Sequence, residues 1–418
     1  MAQRKKKPSG YQLQAIAKAH YKNEFMRKLK YLINTSCGED IYSLIPTRIL
    51  DKVYLVRNHS VQIAAAEGHI IPAKEMTDLK VILAEQLKRT TIDFSPNGIK
   101  ISLTDFMTVG ISLHYIIPLL EEEGIPNMNK VTSALLKYCL NEEPKTNSMV
   151  CLYRILESFG FGMSNIGTRF YWLDFDVTDN EEDKPVFNNR VKIYTEVPKT
   201  INVKIDGISR PALRVGWANC MQGMTWLTVM PSLLNISGLP DDQPMEVYIQ
   251  SHALRRFSER TEGIYDFMAQ HYIYQSFLNP KICCDRNHNL LIEYRILDSK
   301  AGYFRFDVVG NIIVIRTFLF LTSSGTPEGD LLGKNTGLKM LDKNYLSIDK
   351  LSSFMSSDIR KNEQVNKIFT EAGCQSLFEL YARVADICTK HSNQTPFERM
   401  LDYIGINEAS IKETITAE

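Results

Sequence analysis

With 418 residues and 44% hydrophobic side chains, the chain is long enough for two or three domains with cores of their own, which excludes a disordered protein. A formal net charge of +1 excludes polyanion binding by the surface as a whole, so nucleic-acid affinity would have to come from a local patch. The eight Cys include no C-x-x-C pair, a pattern that suits a reducing compartment and ordinary buried thiols and speaks against a zinc site or a disulfide framework.

The opening Met1-Ala2-Gln3-Arg4-Lys5-Lys6-Lys7-Pro8 lacks the apolar core of a signal peptide. The most apolar strand-like run, Ile312 to Leu321, is too short for a bilayer and carries Arg316. The expectation is a soluble, cytoplasmic protein with no membrane partner. To about Gly160 the chain reads as helical. Leu13, Ile16, Ala17, His20, Phe25, Leu29 and Leu32 recur at threes and fours, giving an amphipathic helix behind Arg4 to Lys7. From Arg4 to Lys30 nine cations face a single Glu24, which suits either a solubilising tail or a basic arm on nucleic acid. Further helices are predicted after Pro46, after Pro72, from a Thr104 cap to a Gly124 stop, and over Asn129 to Leu140 and Ser148 to Phe159. His59, His69 and His114 have no carboxylate at ligand spacing, so no metal site is expected among them.

After Gly160 the period becomes strand-like. Phe170, Trp172 and Phe175 lead into an acidic stretch, Asp174 to Asp183, expected as a loop tip or linker. Val191, Ile193, Thr195 and Val197 alternate, as do Ile201, Val203 and Ile205 before the hairpin signal Asp206-Gly207. Gly238 to Pro244 breaks the pattern. Beyond it the sequence predicts a strand over Met245 to Ile249, helices over Ser251 to Thr261 and Tyr265 to Phe277, and strands over Leu290 to Leu297, Tyr303 to Val309 and Ile312 to Leu321, the last two joined by a type II′ turn at Gly310-Asn311. Gly325, Gly329, Gly333 and Gly337 mark the next stretch as a mobile loop. Gly333-Lys334 fails as a phosphate loop because the spacing is one residue short and Asn335 stands where Ser or Thr is needed. Leu377, Leu380, Tyr381, Val384 and Ile387 predict a helix, as does Phe397 to Ile404. The fold class is α+β: a helical domain over 1–160 with a basic arm, a β-rich section over 161–240, a module over 241–322 with two helices on an antiparallel meander, and a loop followed by a helical region over 323–418.

The chemistry concentrates at Ser251-His252-Ala253-Leu254-Arg255-Arg256-Phe257-Ser258-Glu259-Arg260. Ser251 suits an N-cap, and His252, Arg256 and Arg260 at i, i+4 and i+8 share a helix face that could read phosphate or equally be a solvated surface. Strand parity leaves Arg295, Arg305 and Arg316 on an open sheet face as phosphate-binding candidates, with Glu293 and Asp307 available to neutralise them. Arg316 and Thr317 point to opposite faces unless a bulge intervenes. From Met245 to Leu321 the charge balance is near neutral.

These residues give the 245–322 stretch a resemblance to the small bacterial ribonuclease-toxin domains grouped with barnase, EndoU, colicin-type and RelE-type toxins, carried by His252-Ala253, Arg256, Arg260 and Thr317. The resemblance implies metal-independent RNA cleavage, with no cofactor, in which His252 activates the ribose 2′-OH, Arg256 and Arg260 clamp the phosphate, and Thr317 donates a supporting hydrogen bond. Embedding between long flanks departs from that pattern. A non-catalytic interaction or scaffold protein is the alternative, and DNA binding through the Arg4 to Lys30 arm a third.

Overall fold

The computed structural model describes residues 10–126, 128–140, 142–179, 187–234, 236, 243–261, 266–355 and 362–390. The chain is α+β and forms two compact units, Met1–Ile155 with Asp174–Ile193 and Leu156–Leu173 with Tyr194–Glu418.

The first unit contains α1 (Gly10–Cys37), α2 (Thr47–Leu55), β1 (Gln62–Ala65), α3 (Ala73–Arg89), β2 (Thr91–Asp93), β3 (Lys100–Ser102), α4 (Leu103–Asp105), α5 (Ile116–Glu122), α6 (Asn129–Tyr138) and the first part of α7 (Glu142–Met163). Helices α2 and α3 start where expected, behind Pro46 and Pro72, whose extended ψ of 136° and 138° turns the chain into each helix. Their buried stripes are Ile49 and Val53, and Leu79, Leu83 and Leu87, while Leu55 and Ile82 point outward. The cap of the fourth helical run is Ser102 rather than Thr104: Ser102 Oγ accepts from the Asp105 N–H at 3.0 Å. Gly124 does stop the run, at φ +57°. From Leu103 to Glu122 the backbone passes through α, π and 3-10 turns, with Pro118 adding a missing N–H. By length and composition this stretch could cross a membrane, but half of it is buried within the unit, as in a core helix. The three short strands were not legible as alternation. Arg4 to Lys7 lie outside the described residues, and along α1 Lys22 pairs with Asp51 at 2.8 Å and Lys28 with Asp105 at 2.6 Å.

Strands β4 (Phe170–Asp179) and β5 (Phe187–Glu196) complete a three-stranded sheet with β1, in the order β1-β5-β4. Asp174, Asp176 and Asp179 therefore lie on a strand, where the sequence had suggested a linker; Asp176 is held by Lys192 at 2.7 Å. Glu181, Glu182 and Asp183 fall outside the described residues.

The second unit is organised by an eight-stranded sheet. Its strands are β6 (Thr200–Ile205), β7 (Ile208–Arg214), β10 (Thr228–Val229), β11 (Met245–Gln250), β12 (Ile282–Cys284), β13 (Leu290–Ile296), β14 (Ser299–Val309) and β15 (Ile312–Phe320); β8 (Gly216–Asn219) and β9 (Gly223–Trp226) form a separate hairpin. The order is β12-β13-β14-β15-β11-β7-β6, with β10 also pairing β11, so the sheet runs through both the 161–240 and the 241–322 segments. Its one parallel join is β11 to β15. Asp206 and Gly207 both take positive φ, as a type I′ turn requires, and of Gly310 and Asn311 only Gly310 does, as type II′ requires.

Helices α8 (Pro231–Leu234), α9 (Ser251–Arg260) and α10 (Asp266–Leu278) precede the meander. On one sheet face Phe257 of α9 stands edge-on to Tyr294 and Phe318, with centroids 5.1 and 5.0 Å away, and Phe277 of α10 approaches Phe304. The opposite face is not open along the meander as parity had suggested. Tyr303 is buried there, and helices α11 (Pro327–Thr336), α12 (Met340–Tyr345), α13 (Leu351–Met355), α14 (Glu363–Glu371) and α15 (Ser376–Lys390) follow. Ser376 Oγ donates to the Lys300 carbonyl at 2.7 Å, tying α15 to β14.

The glycine-rich stretch is a helix, not a mobile loop. Thr326 caps α11 by accepting from Gly329 N–H at 2.9 Å, Pro327 takes the first turn, and Gly337 closes it in the left-handed conformation. Gly329 is needed for close approach: a Cβ there would lie 1.9 Å from the Ser323 carbonyl oxygen. Gly329→Ala should therefore cost about 1–3 kcal/mol, read as a lower urea midpoint; an unchanged midpoint would contradict this packing. The Phe397 to Ile404 helix lies outside the described residues.

Candidate anion-binding face

Strand β11 runs directly into α9. The N-cap position is Gln250, with extended backbone and no side-chain cap, so Ser251 is the first helical residue rather than the cap. Ala253 and Phe257 are buried against the sheet, which turns His252, Arg255, Arg256 and Glu259 outward. His252 Nδ1 lies 3.2 Å from an Arg255 guanidinium nitrogen. Partial burial, and then the charges of Arg255, Arg256 and Arg210, hold the imidazole below its ordinary pKa and so favour the neutral ring. Glu259 is the local counter-charge, 3.2 Å from Arg256 and 3.7 Å from Arg255. Three guanidiniums and a neutral imidazole thus share a surface with one carboxylate.

The other sequence candidates lie elsewhere. Arg260 turns inward, bonding Ser323 Oγ and sitting 3.3 Å from the Asp349 carboxylate. In the β14–β15 register Arg305 faces Thr317 and Phe306 faces Ile315, so β15 holds one extra residue, Arg316. That bulge resolves the parity conflict: Arg316 reaches Asp307 at 2.9 Å and Asp206 at 3.0 Å on the same face as Arg305 and Thr317. This face is opposite the one that α9 covers, because Phe304 alternates with Arg305 and packs on Phe257. Arg305 donates to Asn289 Oδ1. Arg295 bonds Glu293 and donates to the Asp298 carbonyl at 2.7 Å, lining a cavity of about 630 Å³ with Lys281 and Gln275. The seven candidates therefore divide among four places: His252 with Arg256 on the outer face of α9, Arg260 turned inward, Arg305, Arg316 and Thr317 together on the far sheet face, and Arg295 at the cavity.

A second polar cluster joins α11 to the sheet. Tyr303 OH donates to Glu328 at 3.1 Å, and Lys300 bonds both Glu328 and, at 3.1 Å, the Tyr303 oxygen. Burial, reinforced by Glu328, pushes the Tyr303 hydroxyl far up, and burial pushes the neighbouring Cys283 thiol to about 11. Both stay protonated near neutrality. Neither Tyr303 nor Cys283 is therefore held as an anionic nucleophile, and the bonds of Lys300 and Tyr303 to Glu328 fasten α11 to the sheet.

No family model, curated protein or solved structure matches the chain. The candidate face thus rests on its own geometry. Arg255 and Arg210 were missed in the sequence. The i+4 and i+8 reading from His252 left out Arg255, although i+3 shares the helix face equally, while Arg210 comes near only through the non-local β7–β11 pairing. A cleft of about 190 Å³ beside α9, lined by Leu254, Ser258, Thr261 and Gln270, is smaller than the roughly 300–1,000 Å³ usual for small-molecule sites. Among the described residues no cluster of His, Cys, Asp and Glu could hold a metal ion.

Proposed function

We propose that this protein binds RNA through the outer face of α9, with Arg255, Arg256 and Arg210 taking phosphates. The observation that carries the reading is the exposed group of three guanidiniums around a neutral His252. In its stronger form the reading includes metal-independent cleavage, as in the ribonuclease toxins that the segment resembles: His252 accepts the 2′-OH proton and the guanidiniums stabilise the charge that develops on the phosphate. Arg260 takes no part in this version, and Thr317 lies on the far sheet face. An RNA target is consistent with a cytoplasmic protein of bacterial type.

A filter-retention series with labelled tRNA and rRNA, with and without EDTA, tests both forms. Each of Arg255→Ala, Arg256→Ala and Arg210→Ala should weaken retention and lower the salt slope by about 1. EDTA-resistant cleavage that disappears in His252→Ala would support catalysis, and intact RNA at high protein concentration would remove it. Unchanged retention in the triple Arg variant would sink RNA binding on this face.

A scaffold reading is favoured by one observation, the exposed apolar side chains Met340, Leu341, Tyr345 and Leu346 on and after α12. It predicts a stoichiometric protein partner whose binding is lost in Leu341→Asp while RNA retention stays the same.

A further inference from the structure

In the first unit two thiols far apart in sequence meet. Cys37 is the last residue of α1 and Cys139 is the C-cap of α6, and their Sγ atoms are 3.9 Å apart. Cys37 is half-buried and Cys139 buried. Both sit at helix ends, where the backbone can yield. Gly38, at φ +69°, closes α1 by donating to the Asn34 carbonyl at 2.9 Å, and at the end of α6 the Cys139 and Leu140 N–H groups both donate to the Leu135 carbonyl at 2.9 Å. A disulfide needs the sulfurs about 2 Å apart, so from 3.9 Å they must close by roughly another 2 Å through side-chain rotation and movement of the two helix ends. Ordinary buried thiols were the expectation for all eight cysteines; contact between this pair gives them a chemistry of their own.

We propose that Cys37 and Cys139 form an oxidation site, at which a low-molecular-weight disulfide of the glutathione class links the C-terminal end of α1 to that of α6. Cys37, the more accessible, attacks first as the thiolate: its Sγ bonds one sulfur of the small disulfide, and the other leaves as a thiolate that takes up the proton Cys37 lost. The Cys139 thiolate then attacks Cys37 Sγ, and the second small thiol leaves with the remaining proton. Two protein thiols are oxidised to one disulfide and one small disulfide is reduced to two thiols. Burial pushes both protein thiols up, which slows the exchange and makes the link a response to sustained oxidation.

The test incubates the full chain with oxidised glutathione, blocks free thiols with iodoacetamide, and maps peptides by mass spectrometry. The expected product is a Cys37–Cys139 cross-linked peptide lacking two hydrogen atoms, together with a higher unfolding temperature that reductant reverses. Cys139→Ser should stop at the mixed disulfide on Cys37, and neither Cys37→Ser nor Cys139→Ser should show the temperature shift. Full alkylation of both residues in oxidised, folded protein would overturn the proposal, as would a cross-link from Cys37 to a different cysteine. If Cys37→Ser does not fold, the wild-type peptide map and the Cys139→Ser adduct decide the question between them.

Discussion

Glu157→Gln is expected to stabilise the second unit above about pH 5, by an amount that grows with pH to several kcal/mol near pH 8. Glu157 lies on α7 almost fully buried, with Oε2 accepting the Cys220 N–H at 2.6 Å. Burial pushes its carboxyl up to about 8, with the Cys220 amide pulling the other way. A carboxyl raised in the native state keeps a proton that the unfolded chain has released. Stability is therefore highest below the ordinary value of 4.5 and is lost as pH rises toward about 8. At about 1.4 kcal/mol per pH unit, the window spans on the order of 5 kcal/mol. Gln keeps the acceptor for Cys220 and cannot ionise. Urea unfolding at about pH 5, 7 and 8.5 should show the two proteins diverging as pH rises, and parallel curves would refute the assignment.

Arg260→Ala should cost about 3–5 kcal/mol of stability, because it leaves Asp349 as a buried, unpaired carboxylate. The side chains of Arg260 and Asp349 are 12% and 8% exposed, so solvent cannot take over the lost partner, and Asp349 Oδ1 already lacks a hydrogen bond. Arg255→Ala and Arg256→Ala, on the solvated side of the same helix, should change stability by less than about 1 kcal/mol. Urea midpoints separate the two classes, and RNA retention should be altered by the outer pair in folded protein. Equal midpoints for all three variants would show that the Arg260–Asp349 pair contributes nothing.

The two classes also show where the sequence was legible. Local periodicity found α2, α3, α9, α10 and α15, because buried stripes recur within a few turns of one helix. Hairpins at Asp206-Gly207 and Gly310-Asn311 were legible because turn chemistry is local. Arg260 was misplaced because i+8 lies about 80° round the helix from His252, whereas it lies at i+7 from the buried Ala253, nearly in line with it. The glycines of α11 suggested a loop, since nothing local indicates that Gly329 must sit against the Ser323 carbonyl. The bulge at Arg316 depends on how β14 and β15 register, and the Glu157 contact joins residues from a helix and a distant hairpin.

The parallel join between β11 and β15 also bears on synthesis. Strand β11 leads into α9 yet gains its second long neighbour only when the chain has been made through Phe320. Until then one edge of β11 presents unpaired N–H and C=O groups, the kind of edge on which nascent chains aggregate. A product that terminates between α9 and β15 would carry all of His252, Arg255 and Arg256 and still lack the strand against which their helix is seated. Premature termination in that interval should thus give insoluble chains rather than a shorter RNA-binding fragment.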